Sequence, residues 1–440
     1  MNAALRVLCI GHADSPQFSQ RCALLRGAGF RVTELTGRAA PATPGADAAQ
    51  PRGLPLGRCW RLTALTRCVH FFALARALDP DVIFVQYAQG LWAWLATATG
   101  RPVVVSVMGG DVLFDEQHDP GAVQRAATRG CLRRAALALC KSEYLAERVR
   151  AMRPRGQVRV MAWGVDRSLF RPASAGGEKR AERRAAGLPE SGLLLLAPRA
   201  LQPLYNPGVI LRAFARSGLA NQGAHLALCT FRADPACEAG LRELRRELNL
   251  EKSVLFLPPQ DAAGMARLYR ASDLGISVPE SDGLPQTLFE AAACGLPLIL
   301  RDLPNYNEVL RHGEQALLVA ARGSRARPVE FRPDELAAAL RLLAADPDLR
   351  AALAQGAARL LQEQEARFGD GLLPELFQEA AKRPGAGRLA RAAQTLRAAA
   401  CLFAGPAPAA RQGQPTFSGF RSYFRELAHP LPGRNASRKA

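Results

Sequence analysis

The sequence predicts an α/β protein built from two parallel-sheet domains, and three observations carry that prediction. Short, continuous apolar runs recur at α/β spacing. The pattern ends near Pro172 and restarts at Leu193. One segment, Ser281 to Leu300 (SDGLPQTLFEAAACGLPLIL), supplies a glycine-bearing loop, a helix ended by Gly295 and a second strand, directly after the strand LGISVP. Strands that are apolar throughout belong to parallel sheets covered by helices on both faces.

The elements follow in order. Ala4 to Gly11 (ALRVLCIG) reads as a buried first strand, Ser19 to Gly29 as a helix, and Arg31 to Leu35 as the next strand. Arg38 to Arg58, rich in Pro, Gly and Ala, reads as a loop. Asp81 to Gln86 and the run VVVSV after Arg101-Pro102 are strands, as is Ala135 to Cys140, after which Ser142 caps a helix. Ala173 to Ala186 reads as a charged connection. The second half places strands at Leu193–Ala197, His225–Thr230, Val254–Leu257, Leu274–Pro279 and Leu296–Arg301. Two similar Rossmann-like halves facing a cleft follow, with a hinge at Trp163 to Pro172. Asp334 to Leu361 has helical periodicity, divided by Pro347. Beyond Pro384 complexity falls: GRLARAAQTLRAAACLF reads as a basic amphipathic helix and GPAPAARQGQP as a flexible stretch. The expected domains are 1–168, 187–368 and a basic, partly disordered tail over 382–440.

Composition narrows the function classes. The chain has 440 residues and 48% apolar content, enough for two ordinary domains. MNAALRVLCIG has no long apolar core of a secretory signal, and no run of about 18 apolar residues occurs. The ten cysteines form no C-x-x-C pair and the six histidines no zinc-like cluster. Reduced core thiols in a cytoplasmic protein are the expectation, with no metal. Net charge is +19, and from Lys382 onward eleven basic residues stand against Glu426 alone. That tail reads as contact with an anionic lipid surface at the inner face of the cytoplasmic membrane. The alternative is an arginine content set by genome composition. Nucleic acid is not expected, because interleaved aromatics and a binding motif are missing.

The chemistry-bearing residues cluster at the ends of strands. Asp282 and Glu290 would face a ligand from the loop and first turns of one helix, the position where α/β sheets bind ligands. Gly283 allows close approach, and the amides around Gly283 and Leu284 lie near a helix N-terminus that attracts anions. Pro285 suits the first turn of that helix. Buried Glu290 needs hydrogen-bond donors, which sugar or ribose hydroxyls supply. The plain alternative is a helix cap at Asp282 and a structural salt bridge at Glu290. Arg199, just past the first strand of the second half, is placed to hold a phosphate bidentately; otherwise it is a surface arginine. Asn206 reads as an N-cap beside the same phosphate. In the first half, Gly109 and Gly110 turn the chain after VVVSV. Asp111 is either an acceptor-binding carboxylate or a turn former. His12 follows the first strand, within reach of an acceptor.

Together these residues resemble the family-4 retaining glycosyltransferases, which have the GT-B fold. The resemblance rests on Asp282-x7-Glu290 in DGLPQTLFEAAACGLP, with Asp in place of the commoner Glu. It extends to NYNE with Arg311-His312-Gly313, placing Glu308 at the family glutamate, and to Trp163-Gly164-Val165-Asp166 with Phe170 and Pro172. Val254 to Gln260 (VLFLPPQ) resembles the strand end beside the base, which brings in Leu257; Pro258 replaces the usual glycine. The resemblance covers about Ala4 to Phe368. It implies a nucleoside-diphosphate sugar donor, with Glu290 on ribose hydroxyls, Asp282 on the donor sugar, and Arg199 with amides near Gly283 on the leaving diphosphate. No metal or other cofactor is implied. The usual lysine after the arginine is absent, with Tyr205-Asn206 nearby; Met108 and Gln17 replace first-half histidines.

The expectation is therefore a retaining glycosyltransferase that moves sugar from a nucleotide sugar to a polysaccharide or glycolipid acceptor, peripheral at the cytoplasmic membrane. The alternatives are a sugar-nucleotide epimerase or phosphorylase of the same fold, or a sugar-nucleotide or lipid-surface binding protein without catalysis.

Overall fold

A computed structural model of the chain describes residues 4–12, 15–36, 60–114, 120–161, 164–174, 176–320, 332–385 and 387–403. The expected loop Arg38–Arg58, Trp163, and everything from 404 onward lie outside the described residues.

The first sheet contains β1 (Arg6–Gly11), β2 (Arg31–Thr36), β3 (Val82–Gln86), β4 (Val103–Val107), β5 (Leu137–Cys140) and β6 (Gln157–Val160). Its order is β2-β1-β3-β4-β5-β6. Its helices are α1 (Pro16–Gly27), α2 (Trp60–Leu78), α3 (Leu91–Ala96), α4 (Ala122–Arg134) and α5 (Glu143–Ala151). β3, β4 and β5 are buried along their whole length, which is why they read as unbroken apolar runs. Ser142 caps α5 as expected, accepting the Leu145 amide at 3.3 Å.

The second half begins with a helix where a connection was expected: α6 (Gly176–Ala185). Its Glu, Lys, Arg and Ala residues are strong helix formers. Its cations are anchored: Arg183 meets Asp273 at 2.5 Å and Lys179 meets it at 2.7 Å. Then come β7 (Leu194–Ala197), α7 (Pro207–Ser217), β8 (His225–Cys229), α8 (Pro235–Glu247), β9 (Val254–Leu257), α9 (Ala262–Ala271), β10 (Leu274–Ser277), α10 (Gln286–Ala293), β11 (Leu298–Arg301) and β12 (Leu317–Val319). The five neighbouring pairs are all parallel, in the order β12-β11-β10-β7-β8-β9. α11 (Pro333–Ala345) and α12 (Pro347–Phe368) break at Pro347 as the sequence indicated. α13 (Leu373–Ala381) and α14 (Arg388–Phe403) complete the described chain.

The chain divides into two compact units at places other than 168 and 187. One unit is Met1–Cys140, Ala146–Arg159 and Gly371–Ala440; the other is Lys141–Leu145 and Val160–Asp370. Packing explains the difference. Val165 and Phe170, expected in the hinge, are buried in the second unit's core. After α12 the chain returns to the first unit, where Phe377 is fully buried, with ring centroids 6.3 Å from Phe30 and 5.9 Å from Phe84. α14 packs on α4, α3 and α2, and its Gln394 is buried, donating to the Ala127 carbonyl at 3.0 Å. The stretch that composition marked as part of a separate tail thus contains a docked helix.

Candidate functional site

In the second sheet the strand order reverses between β7 and β10. Ligands of open α/β sheets bind at the carboxyl ends of the strands beside such a reversal. The two loops flanking this one carry Arg199, just past β7, and Ser281 to Pro285, past β10.

Arg199 and Asp282 meet there. Arg199 Nη1 lies 2.9 Å from Asp282 Oδ2, with 14% and 10% of the two side chains exposed. The same nitrogen donates to Thr287 Oγ1 at 3.3 Å, and the guanidinium stacks 4.4 Å from the Tyr205 ring centre. Burial alone would disfavour its charge. Asp282, followed by Tyr205 and Tyr306, outweighs that penalty and raises the pKa above the ordinary guanidinium value. Arg199 is neither a surface arginine nor a free one: it is a fixed, buried cation already paired.

Asp282 is correspondingly well supplied with donors. Its Oδ1 accepts the Gly283 amide at 2.7 Å and its Oδ2 accepts the Tyr306 hydroxyl at 3.1 Å, in addition to Arg199. The Gly283 N–H, expected to face a ligand, is therefore engaged by its neighbour's side chain. Tyr306 is fully buried, and burial pushes its phenol well above the usual value, so it stays a donor.

Glu290 lies on α10, half-buried, and its Oε2 accepts the Tyr269 hydroxyl at 3.1 Å. Burial raises its pKa to about 7; the Tyr269 hydrogen bond and the charges of Lys141 and Arg199 pull the other way. A carboxyl balanced near neutrality in this manner is a marker of functional sites.

The loop between Asp282 and α10 is under backbone constraint. Leu284 adopts φ +74° while 2% exposed, in the left-handed region that a leucine avoids. Its side chain joins the second unit's core, which holds the conformation. Pro285 occupies the N-cap of α10 rather than its first turn. The helix ends as the sequence indicated: Gly295 at φ +71° donates to the Ala292 carbonyl and Leu296 to the Ala291 carbonyl, a Schellman closure.

Asn206 corrects the capping expectation. It stands at the N-cap of α7, but with φ +53° and no side-chain cap. Its Nδ2 donates instead to the Val278 carbonyl at 2.9 Å and to Glu280 Oε1 at 2.7 Å, and Glu280 pairs with Arg301 at 2.7 Å. A side chain in this left-handed position reaches across to β10's loop, so it braces the Arg199 loop against the Asp282 loop.

Leu257 ends β9, and its carbonyl accepts both the amide and the hydroxyl of Thr230, at 2.9 and 2.8 Å. Phe256 beside it lies under Arg242, 4.4 Å from the ring centre. Glu308 is exposed; Tyr306, two residues earlier, is the member of NYNE that reaches the site.

Asp111, Gly110 and His12, expected on the acceptor side, belong to the first unit. Asp111 is completely buried, and its oxygens accept the amides of Ala88 at 2.7 Å, Gly109 at 2.9 Å and Met108 at 3.0 Å. Those bonds describe the turn-forming alternative. Gly110 is exposed, and so is His12, one residue beyond β1, where the first sheet's order also reverses. Among the described residues no group of three or more His, Cys, Asp or Glu side chains could hold a metal.

The sequence singled out the carboxylates and the arginine but missed Tyr269 and Tyr306. Tyr269 stands in an amphipathic helix, where it is indistinguishable from a core aromatic. Tyr306 carries no spacing signal, because its partner is 24 residues away in sequence.

Comparison with known proteins agrees with this architecture. Residues 178–360 match the model for glycosyl transferases group 1, and residues 16–164 match a glycosyl transferase 4-like domain. A D-inositol 3-phosphate glycosyltransferase of Thermobispora bispora is 33% identical over 249 residues, covering 52% of each chain. One from Salinispora arenicola is 35% identical over 215 residues, covering 46% of this chain and 45% of its own. The chain thus spans about half the length of the curated relatives it matches. Among solved structures, sucrose-phosphate synthase from Thermosynechococcus elongatus aligns with a TM-score of 0.69 at 18% identity, covering 85% of this chain and 98% of its own. Anabaena HepE, solved with UDP and glucose, aligns with a TM-score of 0.66 at 17% identity, covering the same shares. At those identities the likeness bears on the fold, which is GT-B.

Proposed function

From the chain's membership of the group 1 glycosyl transferases, we propose that it transfers a sugar, with retention, from a nucleoside-diphosphate sugar to a polysaccharide or glycolipid acceptor. The observation that carries this reading is the Arg199–Asp282 pair beside Glu290 at the reversal of the second sheet. HepE, with its UDP and UDP-glucose complexes, supports a nucleotide sugar as the donor.

The chemistry follows from where charge develops. As the bond from the anomeric carbon to the diphosphate breaks, negative charge collects on the leaving phosphate. A cation fixed in a low-dielectric site lowers that barrier without reorganising. Arg199 is such a cation, stacked 4.4 Å from the Tyr205 ring centre. Asp282 orients it. Tyr306 and the Gly283 amide hold that carboxylate, and with it the guanidinium, in one position as phosphate binds. The first-turn amides of α10, which lack partners within the helix, add partial positive charge. Glu290 accepts the ribose hydroxyls. No metal or organic cofactor enters this reading. The acceptor binds on the first unit, on the side of His12 and Gly110.

The protein works in the cytoplasm, with the basic segment from Lys382 at an anionic membrane face. No described helix is long and apolar enough to cross a membrane. The reading is tested at Glu290: Glu290→Ala should reduce turnover of nucleotide sugars at least 100-fold, and unchanged transfer would refute it.

A further inference from the structure

We propose that Tyr269 is the positioning residue of Glu290: its buried hydroxyl fixes the carboxylate that the reading above places on the donor's ribose. The inference rests on that reading and adds a residue to it.

Tyr269 is among the largest fully buried side chains, at 1% exposure, on a helix that packs against α10 and β7. Its ring lies 6.2 Å from that of Phe170 and belongs to the second unit's core. Phenylalanine would fill that space equally well, so packing does not account for the hydroxyl. A hydroxyl in such a place is costly unless it is hydrogen-bonded. Its bond goes to Glu290 Oε2, at 3.1 Å. A carboxylate offers about four lone-pair directions. Tyr269 takes one of them and leaves the other oxygen available to hydroxyls.

The groups around Glu290 come from several elements. Lys141 faces it from the segment between β5 and α5, Arg199 from the loop after β7, and Cys294 from the end of α10. Cys229, at the end of β8, faces Tyr269. α12, packed along α10, contributes the apolar residues Ala357, Leu360 and Leu361 to the surrounding core. Burial drives Glu290 toward its neutral form, with a pKa of about 7, and the Tyr269 hydrogen bond is the foremost influence opposing it. Burial also raises the Tyr269 phenol well above its usual value, so it remains a donor throughout the neutral range. Removing the hydroxyl takes away stabilisation of the ionised carboxylate, so the Glu290 pKa should rise further. At neutral pH more of Glu290 would then be protonated and unable to accept two hydroxyl protons.

The experiment measures the Kd of UDP from pH 6 to 9 for the wild type, Tyr269→Phe and Glu290→Gln. The wild type should bind more weakly as pH falls through about 7. In Tyr269→Phe that midpoint should move up by about one unit, giving about 5-fold weaker binding at pH 7, approaching about 10-fold at pH 6, and nearly wild-type binding at pH 9. Glu290→Gln should bind weakly, and its profile isolates any titration of UDP itself. Equal loss at every pH in Tyr269→Phe, or no loss, would overturn the positioning role. A wild type that binds neither UDP nor GDP, ADP, CDP or dTDP used in its place, or a Glu290→Gln variant that binds as the wild type does, would overturn the ribose reading and the role with it. Recovery at pH 9 shows that Tyr269→Phe is folded. If that variant does not fold, 3-fluorotyrosine at 269, a stronger donor of nearly the same volume, should move the midpoint down; an unmoved midpoint would refute the proposal.

Discussion

Glu290 couples the site to stability through its proton. Its folded pKa of about 7 exceeds the ordinary carboxyl value of 4.5, so the folded state holds the proton more tightly than the unfolded chain. The stabilisation from that proton is fully present below about pH 4.5 and is lost as pH rises to about 7; the shift corresponds to on the order of 3 kcal/mol. Urea unfolding of the wild type and Glu290→Gln between pH 4 and 8 should therefore show a difference that grows with pH to neutrality and then levels off. A pH-independent difference would contradict the titration of Glu290. At this scale Asp282, Glu290 and Arg199 were legible, because acid, base and spacing all fall beside strand ends. The tyrosines were not. Their signal is a hydroxyl inside a core, and a sequence does not distinguish a buried tyrosine with a functional partner from one that merely packs.

The β7–α7 and β10–α10 units set the geometry of the site. Parallel strands read from apolar runs, and the α10 segment with its Gly295 closure was legible almost residue by residue. Capping was less so. Asn206 sits at a helix start, as an N-cap residue would, yet its left-handed backbone turns the amide toward Val278 and Glu280. That outcome depends on two loops meeting, which local sequence does not encode. Asn206→Gly keeps the left-handed conformation and removes only the brace. It should cost about 1–2 kcal/mol of stability and weaken nucleotide binding several-fold, measured by urea unfolding and calorimetry. Wild-type values for both would show that the brace is dispensable. α6 was missed because glycine and charge at Ala173–Ala186 suggested a linker, whereas helix propensity and the partners Asp273 and Arg270 order it.

Over the whole molecule, the two-sheet GT-B architecture was readable, but the division of the chain was not. A sequence read from left to right assigns residues after α12 to a tail, while Phe377 and Gln394 return to the first unit's core. Ending the chain at Arg383 removes α14 and uncovers the α3–α4 face, where Trp94 donates to Thr128. Such a chain should unfold at a temperature several degrees lower, and it should float less with anionic liposomes than the full chain. An unchanged melting temperature would contradict the docking of α14, and equal flotation would contradict the lipid role of the basic segment.

On the proposed function, the β7–β10 reversal holds a nucleoside diphosphate between Arg199 and Glu290. This is tested most directly by titrating UDP, GDP, ADP, CDP and dTDP calorimetrically into the wild type, Arg199→Ala and Glu290→Gln. At least one of the five should bind the wild type, and both substitutions should weaken it at least 10-fold. Binding of none, or binding that neither substitution changes, would contradict it.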